Sequence, residues 1–488
     1  MRLGFLSALL LVPMLSGARP AHPPLSYSFR HDGVLGTSLD LTFVAESRAD
    51  AERAELAVLT EIERVRRLIS TWDPASEASR LQRDGRLTSA SPELLRVLAL
   101  YQVWGVRTGG AYSARMGPLV ALWKDAASRG SEPDPFALAS VVSQLRQPGW
   151  RVDQESGTVQ WLHVGALDLN SLGKGFILDL AVEAVEREVD GVHGGLVNIG
   201  GDIRTWGPAT PQETWRVAVA DPRRPADNAP PLTVLRVGDA AISSSGDYAR
   251  GFQVGGVRHS HIIDPRTGRP ADEVIGVTVI ASDNATANAL ATSLSVLGVR
   301  DGMALVASLP GVECLMVTST GEVVRSTGFA RHEVVAGRAS ETGPAIAATL
   351  TIDVTPAVWS RHRPYVAAWV TDTLGHHLRT LAVWGDRPKY LRELSKWWSL
   401  DGLTPELVNA VTRATRSAGK YTLEWDGADQ AGTPLTPGSY QFWLEVAFEN
   451  GAHSVRNVTV TCGPTAASAT MAAADAFAAA QVDCVARK

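Results

Sequence analysis

The chain has almost no cysteine: three residues in 488, at positions 314, 462 and 484. That excludes a small disulfide-stapled scaffold, and no Cys/His spacing suggests zinc. Cys314 lies in the strand-like run VECLMVTS, where a buried thiol is expected. Cys462 and Cys484 enclose a C-terminal segment and either pair in an oxidising compartment or remain two thiols. Basic clusters are also missing. Lys and Arg number 46 against 51 Asp and Glu, a net charge of −5 with no dense cationic stretch. Nucleic acid and anionic lipid are therefore excluded as main partners. Past the N-terminus no apolar run is long enough to span a bilayer, so no stable membrane insertion is expected. No fixed-period repeat occurs, which excludes a solenoid.

What is present points to an exported globular protein of more than one domain. The opening MRLGFLSALLLVPMLSGARPAHPP has Arg2, an apolar run and small residues at 16–18. It reads as a secretory signal over 1–18, cut after Ala18, leaving a soluble periplasmic protein. Residues 25–335 mix amphipathic helices with strand-like runs, an α+β pattern. A small-residue linker covers 336–347. From 348 to 462 strands dominate, and seven of the fourteen Trp lie between Trp359 and Trp443, so a separate immunoglobulin-like β-sandwich is expected. The Ala-rich tail 463–488 reads as a helix or a mobile end.

Four stretches of the first domain carry candidate chemistry. DLNSLGKGFILDLA (168–181) runs through a glycine-flanked turn into a helix. Its glycines would let backbone approach a ligand and Lys174 would meet a phosphate; a plain turn with a surface Lys is the alternative. NIGGDIRTWG places Gly200-Gly201-Asp202 after a strand. SSSGDYARGFQVGGVRHSHIIDPRTGRPA gathers Asp247, His261, Asp264 and Arg266 in one block, with His261 either a strand histidine or a proton carrier. In DNATANALATSLSVLG, Asn288 and Thr292 are four apart and share a helix face. They are either a packing detail or two oxygen donors.

Taken in order, GVLGTSLDL, ISTWDPASEASRL, GPLVALW, DLNSLGKG, NIGGDIR, SGDY, SHIIDPRTG and ANALATSLSVLG resemble the FAD:protein FMN transferases, the ApbE-like flavin transferases. The resemblance covers about 28–335. It implies FAD as substrate, Mg2+ as metal, and transfer of FMN from FAD to a Thr of a target protein with release of AMP. It implies flavin-nucleotide contacts from Leu35, Trp72, Ala111, Tyr112, Ser113, Asp168, Lys174 and Ile262. For Trp72, core packing is the competing explanation. The Ser171 carbonyl, Asn288 and Thr292 would ligate the metal, and His261 would be catalytic. Two departures stand out. Asn288 occupies a position where the family usually has Asp, which removes a charge from the metal site and implies weaker binding. Tyr112-Ser113-Ala114-Arg115 replaces a Phe-Asp-Pro-Thr pattern, with Arg115 as a partial substitute for the lost carboxylate's role at the nucleotide.

Residues 348–462 resemble an uncharacterised bacterial domain often fused to these transferases. Within them NAVTRAT (409–415) partly matches the acceptor motif of flavinylated proteins, Asp-Gly/Ala-x-Ser/Thr-Gly-Ala-Thr. Expected partners are thus FMN-acceptor proteins with such a motif, and Thr415 of the chain itself is a candidate; a loop of small residues is the alternative. Water in place of Thr would make the same site an FAD pyrophosphatase, and lost catalysis would leave a flavin-binding module.

Overall fold

The computed structural model describes residues 24–486 except 154, 163–164, 211–212, 225, 227, 247–250, 335–345, 356–363, 386–387, 401–411, 414–418 and 449–450. The signal segment 1–18, most of the linker, Asp247 and Thr415 lie outside the described residues. The chain opens on a hairpin of β1 (Leu25–Val34) and β2 (Thr37–Ala45). Its two-residue turn, Leu35–Gly36, has φ of 48° and 79°, the handedness that suits twisted strands. Gly36 adopts this freely, whereas Leu35 is strained.

Helix α1 (Arg48–Ile69) starts where Ser47 Oγ accepts from Asp50 N at 3.2 Å. Its buried Ala51, Ala54, Val58, Ile62, Val65 and Ile69 recur every three or four residues. Helix α2 (Pro92–Arg107) is capped by Ser91 in the same way. Then follow α3 (Asn170–Glu188), β3 (Val192–Ile199), β4 (Asp202–Trp206), β5 (Ala240–Gly246), β6 (Val274–Ala281), α4 (Asn284–Ala307), β7 (Glu313–Thr318) and β8 (Val323–Arg325). The strands form one antiparallel sheet in the order β1 to β8. Helices α1, α3 and α4 share a core with one face, through residues such as Phe43, Leu178, Val279 and Leu290. A hairpin of Trp215–Val219 and Thr233–Val237 packs on the other, against Val44, Ile242, Ile280 and Leu315. The result is the α+β domain expected from the alternating patterns.

Helix α4 has 24 residues and is by length and composition apolar enough to cross a bilayer, contrary to the reading that no such run follows the N-terminus. Here it is a core helix. Its Ala287, Ala289, Leu290 and Leu294 are buried against the sheet and α3.

The second domain is a sandwich. One sheet has the order β12-β9-β16-β15, with β9 (Ile346–Val354), β12 (Gly419–Trp425), β15 (Ala467–Met471) and β16 (Phe477–Ala486). The other runs from the short strand Thr412–Arg413 through β11 (His377–Trp384), β10 (Tyr365–Thr371), β13 (Gly438–Ala447) and β14 (His453–Cys462). Leu350, Ile352, Trp425 and Val482 from the first sheet meet Val366, Trp384, Phe442 and Leu444 from the second. The Ala-rich tail is therefore neither helix nor loose end. Phe477, Ala480, Val482 and Cys484 are buried while Ala479 and Gln481 face out, a period of two from residue 480 that outweighs the helix propensity of alanine. Cys462 and Cys484 are joined as a disulfide that ties β14 to β16, one strand from each sheet. Cys314 is a buried free thiol, its pKa pushed up to about 12 by burial.

Candidate functional site

At one end of the large sheet four polar side chains from four elements converge. Asp202 opens β4 directly after the turn Gly200–Gly201, whose φ values of 60° and 99° require glycine. Asn198 Oδ1 accepts from Gly201 N at 2.9 Å and fixes the turn. The pairing of Ile242 with Ile203 sets Ser243 of β5 beside Asp202, and Ser243 Oγ donates to Asp202 Oδ1 at 2.6 Å. From α4, Asn288 Nδ2 donates to the same Oδ1 at 2.7 Å and to Ser243 Oγ at 2.9 Å. From α3, Lys174 Nζ lies 2.8 Å from Asp202 Oδ2, an ionic contact. Asp202 and Asn288 are only 4% and 6% exposed. An ionised carboxylate can only accept, so the Asn288 nitrogen must face Asp202 and its oxygen must face away. Thr292, one turn along α4, is half-buried.

The two helices that carry these residues touch at backbone level. A Cβ at Gly175 would lie 2.5 Å from Asn284 O. The glycine thus serves a helix–helix contact rather than the approach of a ligand, which corrects the reading of the LGKG turn. Asp179, one turn along α3, accepts from Asn284 N at 2.8 Å and Ala285 N at 2.9 Å, capping α4. Burial raises its pKa to about 6.

Ser171, in the first turn of α3, has its hydroxyl held by Tyr101 and Tyr112, each with an oxygen at 3.0 Å. The two rings stack with centroids 5.1 Å apart, and burial raises both phenol pKa values. With its hydroxyl engaged, Ser171 offers a carbonyl as its remaining oxygen. Asp168 accepts from Asn170 N at 2.9 Å, and its own N donates to Ala114 O at 2.7 Å. This ties the 111–115 segment to the start of α3.

Tyr112, Ser113 and Arg115 line a cavity of about 800 Å³ together with Pro265 and Arg266. Ala111 and Tyr112 are both almost fully buried. Arg115 is itself buried, with its guanidinium donating to the carbonyls of Gln144, Leu145 and Gln147 at the end of helix Pro135–Leu145. Its charge is engaged by helix-terminal carbonyls, so it does not substitute for the missing carboxylate. Arg266 is paired with Asp264, which raises the Arg266 pKa. His261 and Ile262 follow the hairpin Gly251–Val254/Val257–Ser260; His261 is half-buried, and Ile262 is buried with its N–H donating to Ser260 Oγ at 3.1 Å. Trp72 is 81% exposed in the turn after α1, which excludes the core-packing reading. Leu35 sits in the strained hairpin turn.

Lys174 and Asn288 are thus joined through Asp202, and Ser171 and Tyr112 through a shared hydroxyl. Among the described residues no group of three His, Cys, Asp or Glu could hold a metal. The candidate donors are instead an amide oxygen, a hydroxyl and a carbonyl, hard oxygens that suit magnesium. Sequence reasoning flagged Asp202 only as part of a glycine motif, and gave no role to Ser243, Tyr101 or Asp179. The GGD turn was the available signal for Asp202; Tyr101 lies in an ordinary helical pattern without one.

Residues 35–316, more than half of the chain, match the family described as "ApbE family". The chain belongs to the ApbE family. Residues 347–479 match a second family, "Predicted periplasmic protein (DUF2271)". An "FAD:protein FMN transferase" of Vibrio cholerae is 31% identical over 302 residues, 59% of this chain and 86% of that protein. A Treponema pallidum protein of the same description is 34% identical over 238 residues, 46% of this chain and 65% of that protein. The ApbE protein of Thermotoga maritima, a crystal structure, superposes with a TM-score of 0.56 at 27% identity, covering 64% of this chain and all of that one. The ApbE match spans the α+β domain and the DUF2271 match spans the sandwich, including the first part of the tail.

Proposed function

We propose that the chain is an exported FAD:protein FMN transferase. The observation that carries this reading is the network in which half-buried Lys174 meets buried Asp202 and Asn288, with Thr292 beside it, at the junction of α3, α4 and the sheet of an ApbE-family domain. A Thr hydroxyl of the acceptor attacks the FMN-side phosphorus of FAD. A new P–O ester bond forms, the pyrophosphate P–O bond breaks, and AMP leaves. His261 takes the hydroxyl proton. Little covalent chemistry is asked of the protein, so its work is alignment and charge neutralisation. Lys174 supplies a cation held in place by Asp202. Asn288, Thr292 and the Ser171 carbonyl would hold Mg2+, which when bound supplies further positive charge at the pyrophosphate. Leu35, Trp72, Ala111, Tyr112, Ser113, Asp168 and Ile262 would contact the flavin nucleotide.

Export is supported by the secretory pattern of 1–18, by the description of the second family and by the Cys462–Cys484 disulfide. The acceptor is a protein with a Ser/Thr-Gly-Ala-Thr-like motif. The in-chain candidate, Thr415, follows the short strand Thr412–Arg413 beside Val383–Trp384 and itself lies outside the described residues. The test is to mix the protein with FAD, Mg2+ and a peptide bearing an intact acceptor motif, then follow AMP release, peptide mass and the protein's own mass. Peptide adduct with AMP supports the transferase. AMP without any adduct makes the protein a pyrophosphatase, and neither product makes it a binding module. A flavin mass on the chain itself, lost in Thr415→Ala, would identify the internal acceptor.

A further inference from the structure

Asn288 differs from a carboxylate in one respect that matters here: its two ends are chemically distinct. An amide that turns over presents two N–H donors to a cation and repels it, so at this position the orientation of the group matters as much as its presence. The surroundings supply that orientation. Asp202 Oδ1 and Ser243 Oγ both accept from Asn288 Nδ2, at 2.7 and 2.9 Å, and Ser243 in turn donates to Asp202 at 2.6 Å. All three side chains are almost fully buried, so water does not compete for these bonds. Lys174 Nζ lies 2.8 Å from the remaining oxygen of Asp202 and holds it in place. A carboxylate at 288 would instead face the Asp202 carboxylate across the present 2.7 Å contact.

We propose that Asp202, with Ser243 as its relay, is a positioning residue that locks the Asn288 amide with its oxygen turned toward the cation. The inference rests on the reading of Asn288 as a metal donor. It assigns Asp202 no contact with the metal, and it accounts for an amide serving at a position of this kind. Groups that orient a metal donor from behind typically matter by ten- to a hundred-fold in metal affinity.

The test uses the full chain and Mn2+ as a paramagnetic probe, with free Mn2+ followed by electron paramagnetic resonance. FAD binding without metal, read by flavin fluorescence, is measured alongside. Asp202→Asn keeps the shape but loses the obligate acceptor; its Mn2+ dissociation constant should rise at least ten-fold, while metal-free FAD binding should stay within two-fold in Ser243→Ala, which leaves the Lys174–Asp202 pair intact. Ser243→Ala leaves every charge in place and should still weaken Mn2+ about three-fold or more. An unchanged Asp202→Asn, or a Ser243→Ala that binds Mn2+ like the parent while Asp202→Asn does not, overturns the proposal, the latter because Asp202 would then act by charge alone. If Asp202→Asn does not fold, Ser243→Ala decides by the same threshold. Parent protein that binds no Mn2+ at all rejects the metal-site reading itself, and this inference with it.

Discussion

Gly175→Ala is the sharpest probe of how the site is held. The added Cβ would stand 2.5 Å from Asn284 O, 2.8 Å from Asn284 C and 3.2 Å from Ala285 N. All three atoms are backbone, so no side chain can rotate out of the way. The helices must part by nearly an ångström, which strains the two hydrogen bonds from Asn284 and Ala285 to Asp179. Overpacking of this kind costs about 1–3 kcal/mol, and each weakened bond to a buried carboxylate adds about 1 kcal/mol. Against this, alanine gains about 1 kcal/mol in helix propensity. The net expectation is a loss of about 2–4 kcal/mol. Gly173→Ala is the control. Its Cβ would meet Ile69 Cδ1 at 3.5 Å and Leu169 Cβ at 3.9 Å, ordinary contacts, so the same propensity gain should leave it neutral or stabilised by up to about 1 kcal/mol. Differential scanning calorimetry reads both, at roughly 2–4 °C per kcal/mol for a domain of this size. A Gly175→Ala protein as stable as the parent, or more stable than Gly173→Ala, would refute the helix-contact reasoning.

Three further outcomes follow from other parts of the molecule. Burial lifts the Asp179 pKa from its ordinary 3.8 to about 6, so the native state holds its proton more tightly than the unfolded chain. The associated stability is present below pH 4 and lost as pH rises through 6, up to about 3 kcal/mol at roughly 1.4 kcal/mol per unit. Asp179→Asn should flatten the stability profile across that window in urea titrations, and an unchanged profile would exclude Asp179 as its source. Trp72→Ala should leave stability within about 0.5 kcal/mol because the ring is exposed, yet weaken FAD binding roughly ten-fold through lost stacking; equal FAD affinity would remove Trp72 from the site. In the sandwich, the fully buried Glu445 accepts from Lys396 N, Trp397 N and His453 Nε2 at 2.9, 2.7 and 2.7 Å. Glu445→Ala should therefore cost about 3 kcal/mol in unfolding of the second domain, and a change under 1 kcal/mol would show that its partners re-pair with solvent.

Much of the architecture was legible because its signals are local. Alternation and a capping residue such as Ser91 mark where strands and helices begin, and the division into an α+β domain and a Trp-rich sandwich follows from the same patterns. The tail was misread because alanine is a helix former by propensity, while its fate was set by a distant partner, the β9 strand. Arg115 was misread for a similar reason: a charge is visible in sequence, but the helix-end carbonyls that absorb it are 29 to 32 residues away. Asn288 was legible as half of an oxygen-donor pair with Thr292, Lys174 as a phosphate contact, and Asp202 as a motif member. That one carboxylate joins Asn288 to Lys174 depends on the register of β4 against β5 and on the docking of α3 on α4, and neither is written in any short stretch.

The sandwich has a topological property with consequences for biogenesis. Its first strand, β9, is flanked by β12 and by β16, with Ile346 opposite Ala486. The neighbour that completes β9 is thus the strand synthesised last among the described residues. On a chain emerging N-terminus first, whether from a ribosome or across a membrane, the ApbE-family domain has all its strands by residue 325, whereas β9 must wait for more than a hundred further residues with one edge open. The catalytic domain can therefore be complete while the sandwich is still assembling. The order of completion gives the cell an interval in which a folded enzyme is tethered to a half-built partner, and premature pairing of the open β9 edge with a second chain is the hazard of that interval.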